Sequence, residues 1–251
     1  MIVLVTGASA GFGVAIARRF ARDGARVIAA ARRLDKLDAL RAELGASVLP
    51  LVLDVRDRDA VTQAIAGLPA DFAAIDVLVN NAGLALGTQP AHLCNLDDWD
   101  AMVDTNVKGL IYMTRAVLPG MVERNRGHII NIGSTAGLFP YPGGNVYGGT
   151  KAFVYQFSLN LRADLAGTAV RATDIEPGMV GGTEFSQVRY KGDEAKAAAV
   201  YAGARALESD DIADAVHWVA TRPAHVNVSQ ICLMPVCQTF SHWTISRSTG
   251  K

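Results

Sequence analysis

Residues 1–13 read MIVLVTGASAGFG: a short apolar run, then glycines at 7, 11 and 13. Between a strand and a helix, glycines let the backbone approach a diphosphate, and the helix that starts there offers free N–H groups and the positive end of its dipole. The spacing is G-x-x-x-G-x-G rather than G-x-G-x-x-G, so the commoner dinucleotide fingerprint does not match. A tight strand-to-helix turn would use the same residues. The rest of the chain has to decide between the two.

Working outward, short apolar runs recur, each followed by a segment of helical period. MIVLV precedes GFGVAIARRFARDG, ARVIAAA precedes LDKLDALRAEL, and SVLPLVLDV precedes RDAVTQAIAGL. IDVLVN (75–80) leads into a long polar stretch, followed by HIINIGS (128–134), a helical segment over 146–167, TAVRATDIE (168–176) and ICLMPV (231–236). Alternating strands and helices of these lengths predict βαβ units and a parallel sheet of about seven strands, covered on both faces. No Pro- or Ser-rich linker, repeat or low-complexity segment divides the chain, so one α/β domain over 1–251 is expected. Residues 178–206 are too long for an ordinary αβ turn and are read as a substrate lid. The tail over 238–251 has no assignable period, and its last residues are expected to fray.

Composition excludes several classes. Charges balance at 24 Lys and Arg against 24 Asp and Glu, which argues against a nucleic acid or an anionic membrane as partner. The three cysteines, Cys94, Cys232 and Cys237, are scattered, with no ligand-like spacing, so a reduced, cytoplasmic, metal-free protein is expected. The uncharged first seventeen residues lack a basic n-region and are broken by glycine, unlike a signal peptide. The uncharged stretch 131–150 is too rich in Gly and Pro for a bilayer-spanning helix.

Which nucleotide binds is decided after the second strand. An enzyme that uses NAD usually has an acid there for the ribose 2′-hydroxyl. RVIAAARR has none; Arg32 and Arg33 follow directly, two cations opposing the dipole of the helix they precede. The 2′-phosphate of NADP explains them better than helix stability does; a solvated pair tempered by Asp35 is the alternative. Asp54, ending LVLDV, is placed to accept from an adenine amino group. NNAG (80–83) ends the fourth strand, where a parallel sheet opens its ligand crevice, although a plain turn explains it nearly as well.

At the same edge, HIINIGS delivers Ser134, and NVYGGTK (145–151) puts Tyr147 and Lys151 one helical turn apart. A free tyrosine titrates near ~10, too high for proton exchange at neutral pH. A lysine ammonium nearby is expected to favour the phenolate, as would an oxidised nicotinamide. Tyr147 would then exchange a proton with a substrate oxygen that Ser134 holds by a hydrogen bond, while Lys151 could also reach the cofactor ribose. Gly148 and Gly149, each unfavourable in a helix by roughly 0.8–1 kcal/mol, are read as leaving room for neighbouring backbone, ring or substrate. Taken singly, each of these residues has a dull explanation: wall residue, solvated position, strand-end cap.

Together these residues resemble the short-chain dehydrogenase/reductases. The resemblance rests on TGASAGFG at 6–13, Asp54, NNAG at 80–83, Asn106 in DTNVKG, Ser134 in NIGSTAG, Tyr147 and Lys151 in YGGTK, and Pro177-Gly178, in that order along nearly the whole chain. It implies a three-layer, doubly wound Rossmann fold, a catalytic set of Ser134, Tyr147, Lys151 and Asn106, with Asn106 positioning a water that relays protons from Lys151, and a homotetramer. It also implies cofactor contacts from Gly7, Ser9, Ala10, Gly11, Phe12, Gly13, Arg32, Arg33, Asp54, Val55, Asn81, Ala82, Gly83, Tyr147, Lys151, Pro177, Gly178, Val180 and Thr183. NAGLALG, TRAVLPGMVERN, IEPG and GGTEFSQVRYKGD resemble a narrower branch, the NADP-dependent 3-hydroxy acid dehydrogenases. That branch acts on serine, allo-threonine and 3-hydroxypropionate and reduces malonic semialdehyde. Thr183 follows Pro177-Gly178 one residue later than the frequent pattern, and Gly149 stands where Ala is usual.

A carboxylate substrate calls for a forked guanidinium. Arg189, in the expected lid, is the candidate, with Lys191 second; a solvated lid charge is the alternative. Three other classes compete. Methyltransferases share the glycine turn but normally carry an acid after the second strand. Nucleotide-sugar epimerases share the Tyr/Lys pair but need a larger carboxyl-terminal domain. An idle NADP-binding sensor, or a reductase of another carbonyl substrate, fits the same motifs.

Overall fold

In the computed structural model, which describes residues 1–240, the seven expected strands form one parallel sheet. They are β1 (Ile2–Thr6), β2 (Arg26–Ala31), β3 (Val48–Val52), β4 (Val77–Asn80), β5 (Gly127–Ile132), β6 (Val170–Pro177) and β7 (Gln230–Leu233), in the order β3-β2-β1-β4-β5-β6-β7. The order reverses between β1 and β4, and in such sheets the ligand crevice lies there, beyond the carboxyl ends of the strands.

Strand side chains alternate between two cores. Val3, Val5, Val27, Ala29 and Ile175 pack beneath α1 (Gly11–Arg22), α2 (Leu34–Leu44) and α11 (Ser209–Ala220). Leu4, Ile28, Leu78, Ile129 and Ala172 pack beneath α3 (Arg58–Ala66), α6 (Leu110–Glu123) and α8 (Asn145–Asp164). Burial on both faces is what makes the strands read as continuous apolar runs. A short α4 (Ala70–Ala73) precedes β4.

The stretch after β4, read as long and polar, folds instead into α5 (Leu96–Val103), a π-turn over Asp104–Gly109, and α6. The wider turn breaks the 3.6-residue period, and Pro119 inside α6 removes a backbone donor; both blur the helical signal. The sequence reading also left α11 unassigned. A capping box between Glu208 and Asp211 starts that helix, and α1 anchors it: Arg19 Nε lies 2.8 Å from Asp214, and the Phe20 and His217 rings are 5.2 Å apart.

Beyond β5, the short α7 (Thr135–Leu138) packs tightly on α8: a methyl group on Gly137 would lie 2.6 Å from the Lys151 carbonyl carbon. The two glycines of YGGTK separate here. A methyl on Gly148 would lie 3.0 Å from the Ala136 carbonyl oxygen, so α7 can pack on α8 at this depth because the residue is glycine. Around Gly149 a methyl would meet no protein atom within 4 Å, so no neighbouring backbone or side chain requires a glycine there. The chain then leaves β6 and runs through α9 (Phe185–Arg189) and α10 (Glu194–Ala199). The ends of that excursion pair at Val180 and Leu207. Among the described residues, no helix is long and apolar enough to cross a membrane.

Gly149→Ala is expected to raise stability by about 0.5–1 kcal/mol, whereas Gly148→Ala should lower the melting temperature by forcing α7 away. Thermal unfolding of the two variants checks both; a stabilised Gly148→Ala protein would remove the packing argument.

Candidate active site

A cleft of about 720 Å³ runs along the carboxyl edge of the sheet, from the glycine turn to α9. At one end, Gly7 (φ 66°) and Gly11 (φ 51°) take left-handed conformations that side chains disfavour. A methyl on Gly7 would lie 2.9 Å from Asn81 Nδ2, and one on Gly13 would overlap the Gly7 carbonyl oxygen, so a side chain would fill the cradle. The N-cap of α1, Ala10, has no side-chain acceptor, and the first turn holds no acid. Its N–H groups are left for an anion in the cleft, which a dinucleotide diphosphate fits.

Arg32 and Arg33 border this end. Arg33 donates to Ser9 Oγ (3.0 Å) and pairs with Glu184 (2.9 Å), joining the glycine turn to the segment after β6. Thr183 hangs over Gly11, 3.4 Å from where a methyl there would sit. Asp54 lines the cleft, but its carboxylate is held by Arg56 (2.6 Å), whose hydrogen bond keeps it below the usual carboxylate range. Its role as an adenine acceptor therefore competes with an existing partner.

At the centre, Asn81 Nδ2 donates to the Thr6 carbonyl (2.8 Å), tying β4 to β1 at the switch point. Asn106, in the π-turn, is buried and each polar atom of its amide has a partner. Oδ1 accepts from the Leu84 N–H (2.9 Å), and Nδ2 donates to the Leu84 carbonyl (2.9 Å) and Thr150 Oγ1 (3.0 Å). It stands just behind the cleft wall, where its side chain braces the loop after β4.

The other end brings Ser134, Tyr147, Lys151 and Arg189 together. Ser134 caps α7, its Oγ accepting from the Ala136 N–H (3.1 Å). Lys151 Nζ donates to the Ile132 carbonyl (2.7 Å) and lies 5.9 Å from the Tyr147 ring. The electrostatics differ from the sequence expectation. Burial pushes the Tyr147 phenol up to about 12, only partly opposed by Ser134 and Arg189, and burial pushes Lys151 down to about 8, opposed by Asp174. In the chain alone, desolvation outweighs the Ser134 hydrogen bond and the Arg189 charge, and Tyr147 stays a phenol.

Arg189 lies over both the Tyr141 ring (5.4 Å) and the Tyr147 ring (5.6 Å). It donates to Tyr141 Oη (2.8 Å) and the Gly87 carbonyl (3.2 Å), and no carboxylate pairs with it among the described residues. Lys191, the second candidate, is not in the cleft wall; it is held by Asp98 (2.7 Å).

A family model described as short chain dehydrogenase matches residues 1–194. The chain belongs to the short chain dehydrogenase family. A Salmonella typhi protein named NADP-dependent 3-hydroxy acid dehydrogenase is 66% identical, over 99% of this chain and 100% of its own length. Two solved structures are also similar. One, described as the closed form of serine dehydrogenase complexed with NADP+, has a TM-score of 0.98 and 61% identity, over 99% of this chain and 100% of its own. The other, serine dehydrogenase from Escherichia coli, has a TM-score of 0.85 and 58% identity, over 96% and 100%.

In this short chain dehydrogenase, Gly7, Ser9, Ala10, Gly11, Phe12, Val55, Asn81, Ala82, Gly83, Pro177, Gly178 and Val180 all border the cleft, whereas Gly13 and Asn106 support it from behind. Sequence reasoning missed Tyr141, Glu184, Phe185 and Gln238. The Phe185 ring lies tilted against that of Tyr147 (centroids 5.7 Å apart), and Gln238 accepts from the Met179 N–H (2.7 Å). An aromatic, acid or amide in a loop carries no periodic signal. Of the tail, residues 238–240 border the cleft; 241–251 lie outside the described residues.

Asn106→Leu strands the Leu84 N–H and carbonyl, and unmet buried groups cost roughly 1–3 kcal/mol each. A loss of about 2–4 kcal/mol in urea unfolding is expected; a loss below about 1 kcal/mol would refute the bracing role.

Proposed function

We propose that the chain is an NADP-dependent dehydrogenase of 3-hydroxy acids, oxidising serine, allo-threonine or 3-hydroxypropionate at the C3 hydroxyl and reducing malonic semialdehyde. One observation carries the reading. Arg189, a guanidinium with no carboxylate partner among the described residues, lies on the ring of Tyr147 beside Ser134 and Lys151, in the same cleft as the glycine turn. The names of the similar proteins point the same way.

In this reading the glycine turn and the α1 N-terminus hold the diphosphate, and Arg32 and Arg33 hold the 2′-phosphate. When bound, the nicotinamide accepts hydride from the alcohol or delivers it to the carbonyl. Ser134 Oγ hydrogen-bonds the reacting oxygen and keeps it against the phenol. Tyr147 takes the hydroxyl proton in oxidation and returns it in reduction. Since burial alone keeps that phenol protonated, the ammonium of Lys151 has to favour phenolate at the moment of transfer. Lys151 also donates to the ribose hydroxyls, and a water relay past Asn106 carries its proton outward.

Arg189 grips the substrate carboxylate with a fork that Tyr141 orients. Residues 178–206 act as the lid over this end. Support comes from the paired ends of that excursion and from the close fit to a chain described as closed. The protein works in the cytoplasm, in keeping with its scattered cysteines, and assembles as a homotetramer, as the family resemblance implies.

Measured kcat/KM should favour NADP over NAD, and Arg33→Ala should raise KM for NADP selectively; an NAD preference overturns the assignment. Tyr147→Phe is expected to lower kcat by ~10²–10⁴. Arg189→Ala should raise KM for 3-hydroxy acids by about 10–100-fold, the worth of one lost charge-assisted contact, and an unchanged KM sinks the carboxylate role.

A further inference from the structure

Behind Lys151 lies a pair of acids that the reaction just described does not use. Asp174 and Glu176 are two apart on β6, so both side chains leave the strand on the same face. Both are buried, 1% and 0% exposed. Neither Asp174 oxygen has a donor partner, and Glu176 Oε1 has none, while Oε2 accepts from Gln230 Nε2 on β7. Two carboxylates with one donor between them cannot both ionise in a dry interior, so they share a proton.

The pair sits at the root of the site. A methyl on Gly133 would lie 2.6 Å from Asp174 Oδ1, and Gly133 joins Ile132, whose carbonyl holds Lys151 Nζ, to Ser134. The charged and titratable groups facing the pair are Lys151 from α8 and the Cys232 thiol from β7, which feels Glu176. From β5, only the Gly133 backbone approaches.

We propose that Asp174 is a positioning residue for Lys151: its buried, donorless carboxyl, paired with Glu176 behind Gly133, stabilises the ammonium that Tyr147 depends on. Burial and Glu176 push Asp174 up to about 8, the same region to which burial pushes Lys151 down. The two titrations overlap, so the extent to which Asp174 is ionised sets how firmly Lys151 holds its proton, each charge favouring the other. The inference rests on Tyr147 and Lys151 being the proton-transfer pair.

The test is the pH profile of kcat for 3-hydroxy acid oxidation, read beside melting curves of the free protein. Asp174→Asn still donates to Glu176 but can never ionise, so Lys151 loses its proton earlier and the alkaline limb should move to lower pH by at least ~0.5 unit. Glu176→Gln relieves the repulsion on Asp174, which then ionises sooner and holds Lys151 charged longer, so the limb should move to higher pH. A purely structural role gives no such opposite pair, and limbs that stay put or move together overturn the proposal.

The second arm needs no activity. An acid whose folded pKa is raised binds more protons folded than unfolded between about pH 4 and its folded value near 8, so the wild type loses stability across that window as pH rises. Asp174→Asn lacks this loss, and its melting temperature relative to wild type should climb from pH 4.5 to 8; a flat difference would place no buried proton on Asp174. Should Asp174→Asn fail to fold, Glu176→Gln alone decides: a limb moved upward supports the proposal, and an unmoved one refutes it. A wild type that turns over no 3-hydroxy acid while the melting difference still climbs would instead remove the proposed function.

Discussion

A buried ammonium needs an acceptor, and Lys151 finds one in the Ile132 carbonyl at the last residue of β5. In a parallel strand that carbonyl would be spent on a neighbour; at the strand end it is available, and it pins α8 to the sheet at one depth. Everything else at this edge is set by that depth. Tyr147 stands one turn earlier on the same helix, α7 slots against Gly148, and Ser134 caps α7 directly above β5. The glycines of α7 and α8 lower helix propensity locally, but the close approach they allow fixes where the polar groups lie.

Desolvation is the second organising force. It acts in opposite directions on the phenol and the ammonium, keeping both neutral forms within reach. A site meant only to be stable would not place a lysine, a tyrosine and two acids in one dry region. Strain of this electrostatic kind is common where groups must exchange protons, and stability is recovered from the two apolar cores flanking the sheet.

Much of this was legible in the chain. Runs such as VLVT and VIAAA are apolar because the central strands, covered on both faces, have no solvent side, whereas β3 and β7, at the sheet edges, are partly exposed. The glycine turn and the Tyr-x-x-x-Lys pair depend on local spacing, and local spacing is what a sequence displays. Other features depend on what meets what across the fold. Gly148 and Gly149 look alike in YGGTK, yet only one faces Ala136. Arg189 and Lys191 look equivalent in VRYK, yet Asp98 claims one of them. The π-turn and Pro119 hid two helices by breaking the very period that reveals helices, and nothing in TDIEP announces that its aspartate acts on a lysine nineteen residues beyond Ile132.

The contact between Arg33 and Glu184 changes how the cofactor end should be pictured. It is not a bare cation waiting in solvent. Its guanidinium already has a carboxylate on one side and Ser9 on the other. An arriving anion therefore takes part in an exchange of partners, and discrimination depends on the difference between two acceptors for one fork. Because Glu184 belongs to the segment after β6 and Arg33 to the start of α2, the same contact fastens two walls of the cleft to each other across 151 residues of chain.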